Sequence, residues 1–127
     1  MKPAIRARWV AALRSNQYKQ IGQELHYGAN CFCVLGVLCE LYRKEAVVNG
    51  REDPPIWQRN QYGRYEFVDP AALPSELSAW LPPTTVLEWA GLSPATAGTL
   101  QYYNDIEEYT FNELADLLEY SSEDFNG

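Results

Sequence analysis

Side chains that carry chemistry are scarce in this chain. It has one histidine, His26, and three cysteines, Cys31, Cys33 and Cys39, with no second cysteine pair. A Cys-x-Cys step with a third cysteine six residues on lacks structural zinc spacing, so no metal is expected and no cofactor is implied. Glycine is too dispersed for a phosphate loop: Gly36, Gly50 and Gly63 stand alone, which excludes a P-loop or dinucleotide fingerprint. No apolar run is long enough to span a bilayer. The opening MKPAIRARWV puts arginines where a secretory signal would be apolar. A reduced, cytoplasmic protein with free thiols is the expectation.

Basic residues are missing from one half. Residues 1–51 hold eight Lys or Arg and three Glu, whereas 52–127 hold two Arg and fourteen Asp or Glu. The simplest consequence is pairing between the halves. The functional alternatives are a basic site for a phosphate-bearing ligand in the first half, or a nucleic-acid-like acidic surface in the second. A formal charge of −7 disfavours general nucleic-acid binding.

Apolar and aromatic residues are abundant. With 46% hydrophobic residues, 9 Tyr and 4 Trp among 127, the chain can bury one core, as a single domain over 1–127 with a frayed tail at 121–127. The stretch Cys31–Tyr42, CFCVLGVLCELY, is interrupted by charge only at Glu40 and organises the rest. As a helix it places Val34, Val37, Leu38 and Leu41 on one face, widened by Leu35, Cys39 and Tyr42, and is buried on most of its circumference. Gly36 in its interior is expected to admit close approach of another element.

The pattern around it predicts further elements. A first helix spans Pro3–Ser15 with Ile5, Trp9, Ala12 and Leu13 inward. A hairpin covers Gln23–Phe32, turning at Gly28–Asn30, and the central helix ends near Glu45. A second hairpin covers Ile56–Val68, a short helix Ser75–Trp80, and another Pro83–Ala90, stopped by Gly91. Thr99–Tyr103 reads as a strand ending in an Asn104–Asp105 turn. Thr110 and Glu113 form a capping box for a last helix with Phe111, Leu114, Ala115, Leu117 and Leu118 inward. The expected fold is α+β: a small antiparallel sheet of hairpins packed against the central buried helix and the terminal helices.

Candidate chemistry lies in two places. Cys31 or Cys33, where a hairpin feeds a helix N-terminus, would have a lowered thiol pKa, and His26 on the preceding strand would complete a Cys/His hydrolase dyad. Inert buried thiols are the commoner outcome for such residues. The aromatic residues Tyr18, Trp57 and Tyr102 fall where a flat ring near an arginine suits a nucleobase and phosphate.

Four segments together resemble a family of small uncharacterised proteins from bacteria and their phages. They are Trp9–Gln20 (WVAALRSNQYKQ), Cys31–Leu41, Leu81–Leu92 (LPPTTVLEWAGL) and Asn104–Glu119 (NDIEEYTFNELADLLE). The chain departs from that pattern where Asn16 replaces a usual Gly, Phe32 separates Cys31 from Cys33, and Val34 stands for a usual Leu. The resemblance implies a phage-linked, non-secreted protein and carries over no catalytic residues.

The leading expectation is therefore a non-enzymatic binding protein that holds a small phosphorylated ligand, such as a cyclic nucleotide or an ADP-ribose derivative. In a phage context it would be a counter-defence sponge for a nucleotide immune signal. Arg14, Lys19 and Arg64 are the candidates to neutralise phosphate, Tyr18, Trp57 and Tyr102 to stack on a base, and Asn104 and Asp105 to read ribose or base edges. A homo-oligomer would aid capture. The alternatives are an acidic charge mimic, led by Glu107, Glu108, Glu113, Asp116 and Glu119, that inhibits a host protein, and the Cys/His hydrolase.

Overall fold

The structure, a computed structural model, describes residues 1–120, so the expected tail at 121–127 lies outside the described residues. Helix α1 (Pro3–Arg14) opens on Pro3, where a missing N–H costs nothing, and buries Ile5, Trp9, Val10 and Leu13. Ala12 is partly buried against the core as expected, and Val10 joins the inward face because the stripe through residues 5, 9 and 13 widens toward its neighbour at 10. The Trp9 indole N–H donates to the Val34 carbonyl at 3.1 Å and ties α1 to the central helix. Just beyond α1, Asn16 has φ 61°, the left-handed conformation that glycine adopts without strain.

Three two-residue strands follow: β1 (Lys19–Gln20), β2 (His26–Tyr27) and β3 (Cys31–Phe32). The hairpin forms as expected, with His26 opposite Phe32 and Tyr27 opposite Cys31. β1 adds to the other edge of β3 in parallel, so this sheet, in the order β1-β3-β2, is mixed rather than purely antiparallel. The second hairpin, β4 (Ile56–Arg59) and β5 (Tyr65–Val68), makes a separate two-stranded antiparallel sheet.

Helix α2 (Val34–Val48) is the central element, with Val34, Leu35, Gly36, Val37, Leu38 and Cys39 all buried. Gly36 is there for the expected reason. A Cβ on it would collide with the Leu25 carbonyl, whose oxygen accepts the Cys33 N–H at 3.3 Å. The helix runs past Glu45 to Val48, because Ala46 is still buried and the first effective stop is Asn49-Gly50, with Gly50 at φ 71°.

The later elements bring two corrections. Instead of a helix over Ser75–Trp80, a single 3₁₀ turn forms at Pro74–Glu76. The Ser78 hydroxyl accepts the backbone N–H groups of Trp80 and Leu81, which offers this stretch a local alternative to the helical ladder. Helix α3 (Thr84–Ala90) ends at Gly91 in the left-handed region, as expected. The predicted strand at Thr99–Tyr103 is instead the second half of helix α4 (Pro94–Asp105). Ser93 caps it by accepting the Thr96 N–H at 3.1 Å, Pro94 fits its first turn, and Ala97, Leu100 and Asn104 fall on one buried face. Cap and spacing override the strand preference of Thr99, Tyr102 and Tyr103.

Helix α5 (Phe111–Tyr120) realises the capping box. The Thr110 N–H donates to Glu113 Oε1 at 3.0 Å, and the Glu113 N–H donates to Thr110 Oγ1 at 3.1 Å. Phe111, Leu114, Ala115 and Leu118 are buried, and α5 packs along α1. The result is an α+β fold with its helices around α2 and its two small sheets beside the start of that helix. No described helix is long and apolar enough to cross a membrane.

Candidate functional site

The outer side of α1 forms a groove with the end of α5. Pro3, Ala7, Val10 and Ala11 make an apolar floor, while Arg6, Arg14 and Glu119 supply its charge around an open volume of about 390 Å³. These side chains converge because residues 3, 7, 10 and 14 form a second helical stripe beside the one that enters the core. Arg14 Nη2 donates to Asp116 Oδ1 at 2.8 Å and to Glu119 Oε2 at 2.6 Å, and these bonds hold the guanidinium pKa above its ordinary value. All three side chains are at least one-third exposed, so the pairing is screened by solvent. Arg6 was not singled out by the sequence; its i, i+4, i+8 spacing with Val10 and Arg14 is the signal that would have found it.

A second cleft, of about 290 Å³, is lined by Gln20, Ile21, Gly22, Asn104, Asp105, Glu108 and Tyr109. Its hub is Asn104. Oδ1 accepts from Gln20 Nε2 at 2.9 Å and from the Val34 N–H at 3.2 Å, while Nδ2 donates to the Ile21 carbonyl at 2.9 Å and Asp105 Oδ1 at 2.8 Å. Asp105 Oδ1 also accepts the Gln23 N–H at 2.8 Å. One amide thus joins α4 to β1 and the first turn of α2. Asp105 and Glu108 make this cleft a poor host for phosphate.

Cysteine and histidine do not form a dyad among the described residues. His26 Nδ1 lies 3.0 Å from the Cys31 carbonyl oxygen, a backbone group rather than the thiol. Cys33, the N-cap of α2, is buried, and its sulfur accepts the Gly36 N–H. Burial pushes its thiol up to about 12, against the helix-terminus expectation, because desolvation outweighs the nearby N–H donors. Burial likewise pushes the Cys39 thiol well above its ordinary value. No group of three potential metal ligands occurs among the described residues.

The eight predicted site residues are dispersed. Asn104 and Asp105 share the polar cleft, and Arg14 lies in the α1–α5 groove. Tyr18 is buried, its ring edge-on to Phe32 and its hydroxyl accepting from Lys44 Nζ at 2.9 Å. Lys19 is exposed on β1. Trp57 packs between His26 and Phe67 and donates its indole N–H to Glu40 Oε1 at 3.1 Å. Arg64 donates to Glu24 Oε1 at 2.8 Å and lies over the Trp80 ring. Tyr102 is exposed, with its hydroxyl on Glu107 Oε1 at 2.9 Å.

With this geometry in view, the chain can be placed among known sequences. Its residues 1–122 match the family described as a domain of unknown function, DUF8296, and the chain belongs to that family. No curated protein and no solved structure matches it.

Proposed function

We propose that this chain is a non-enzymatic binding protein that takes a small phosphorylated ligand in the α1–α5 groove. The observation that carries the reading is the arrangement of Arg6 and Arg14 around an apolar floor, in a volume of about 390 Å³. Small-molecule sites occupy roughly 300–1,000 Å³, and combine apolar walls with a few placed polar groups. A base or ribose would rest on Val10, Ala7 and Ala11, and the guanidiniums would meet the phosphate. A phosphate brings more acceptor oxygens and charge than a carboxylate, so it would displace Asp116 and Glu119 from Arg14.

The concrete form of the proposal is a phage-encoded sponge, acting in the host cytoplasm as a homo-oligomer, that sequesters a cyclic nucleotide or ADP-ribose signal. Calorimetric titration with such nucleotides tests it. Arg14→Ala and Arg6→Ala are each expected to weaken binding at least about tenfold, the effect of losing one charged hydrogen bond. Lys19→Ala, outside the groove lining, should leave affinity unchanged. Binding indifferent to both arginine substitutions, or none to any such nucleotide, would overturn the reading.

One observation favours a second reading, docking on a basic site of a host protein. Tyr102 and Ile106 are exposed at the same end of α4 that carries Asp105, Glu107 and Glu108. That reading predicts an affinity that falls steeply with salt and ignores Arg14→Ala.

A further inference from the structure

His26 joins the two sheets. Its imidazole, on β2, lies between the Phe32 ring of β3, with centroids 4.1 Å apart at 7°, and the Tyr65 ring of β5, 4.5 Å away at 22°. Trp57 of β4 closes a third side at 4.9 Å. The stack ends on a cation in both directions. Lys44 sits over Tyr18, which meets Phe32 edge-on at 5.2 Å, and Arg59 sits 5.0 Å over Tyr65. The residue is 7% exposed.

The hydrogen bonding fixes the tautomer. A carbonyl only accepts, so the Cys31 oxygen requires its proton on Nδ1, and acidification must add the second proton at Nε2. The new cation would be enclosed by Phe32, Trp57 and Tyr65. From α2 it faces the Glu40 carboxylate, whose oxygens are already engaged by Arg43 at 2.6 and 3.0 Å and by the Trp57 indole N–H. From β5, Glu66 alternates to the face opposite Tyr65, and Arg59 and Lys44 stand over the outer rings of the stack, Tyr65 and Tyr18. β3 contributes the Cys31 carbonyl, while the Tyr27 ring alternates away from His26 on β2.

We propose that His26 is a pH-operated joint, whose protonation releases the β4–β5 hairpin from the three-stranded sheet. The hairpin is the part that yields, because two strands alone are marginal in water; the stack is its attachment to the three-stranded sheet, while Phe67 in the core and the Trp57–Glu40 hydrogen bond hold it to α2. Burial pulls the His26 pKa below its ordinary 6.5, against weaker upward pulls from the Cys31 carbonyl and Glu40. The docked arrangement therefore has its full contribution above pH 6.5 and loses it as pH falls through the lower, folded value.

Because His26 is the sole histidine, one imidazole resonance in a proton NMR titration reports the joint directly. The expected midpoint lies below 6.5. With that same midpoint, amide exchange at Trp57, Tyr65 and Phe67 should rise, corrected for its intrinsic pH dependence, by about tenfold per unit of depression, while Leu114 and Leu118 stay protected. In His26→Phe the hairpin amides should lose this pH dependence. A midpoint at or above 6.5, hairpin exchange unchanged across the titration, or the same pH dependence in His26→Phe would each overturn the proposal. If His26→Phe does not fold, the native titration decides alone.

Discussion

Gly36 shows how much a single residue can decide. Its missing Cβ leaves the place where the Leu25 carbonyl reaches the first turn of α2. Gly36→Ala should therefore cost roughly 1–3 kcal/mol in urea unfolding, as overpacking of a close backbone contact does. This role was legible in the sequence, because glycine inside a buried helix has few other uses. The state of Cys33 was not legible: a helix N-terminus lowers a thiol pKa and burial raises it, and only the tertiary structure says which prevails. Of the three thiols only Cys31 is half-exposed. With a neutral alkylating reagent on the folded protein, Cys31 should react and Cys33 and Cys39 should stay silent until unfolding. Rapid modification of Cys33 would contradict its burial.

At the scale of elements, the capping box at Thr110 was readable because both of its partners lie within four residues. Thr110→Ala should lower stability by about 0.5–2 kcal/mol without changing the fold. Helix α4 was misread because Thr99, Tyr102 and Tyr103 favour strands locally, while the Ser93 cap and the buried spacing of Ala97, Leu100 and Asn104 reach beyond that segment. Asn104 makes its hydrogen bonds to Gln20, Ile21 and Val34, far away in sequence. Asn104→Leu would leave the Val34 N–H and the Ile21 carbonyl without this partner, an expected loss of ~2–4 kcal/mol in thermal or urea unfolding. A neutral effect would mean that α4 is held by Ala97 and Leu100 alone.

For the whole molecule, the charge asymmetry between the halves resolves into specific pairs. Arg14 meets Asp116 and Glu119 across α1 and α5, and Arg51 meets the buried Asp69 at 2.6 Å. Burial pushes the Asp69 carboxyl up, but Thr85, the Ala71 N–H, Arg51 and Tyr42 together bring it below its ordinary 3.8. Its contribution is complete above pH 3.8 and is lost as pH falls through the folded value. Acid unfolding followed by circular dichroism should therefore lose stability as pH falls below 3.8, and Asp69→Asn should flatten that loss. The pairing was foreseeable from composition, but which arginine lines a groove was not, since Arg6 and Arg14 differ from the others only in the side of α1 they occupy.

The proposed phosphorylated ligand of the α1–α5 groove is open to direct detection. Native mass spectrometry of the protein purified from cells, then incubated with a panel of cyclic nucleotides and ADP-ribose derivatives, tests for it most directly. The account predicts a stoichiometric adduct that is released chemically intact and is absent from the Arg6→Ala, Arg14→Ala double variant. A ligand returned chemically altered, an adduct that survives in the double variant, or a protein that stays bare across the whole panel would contradict it.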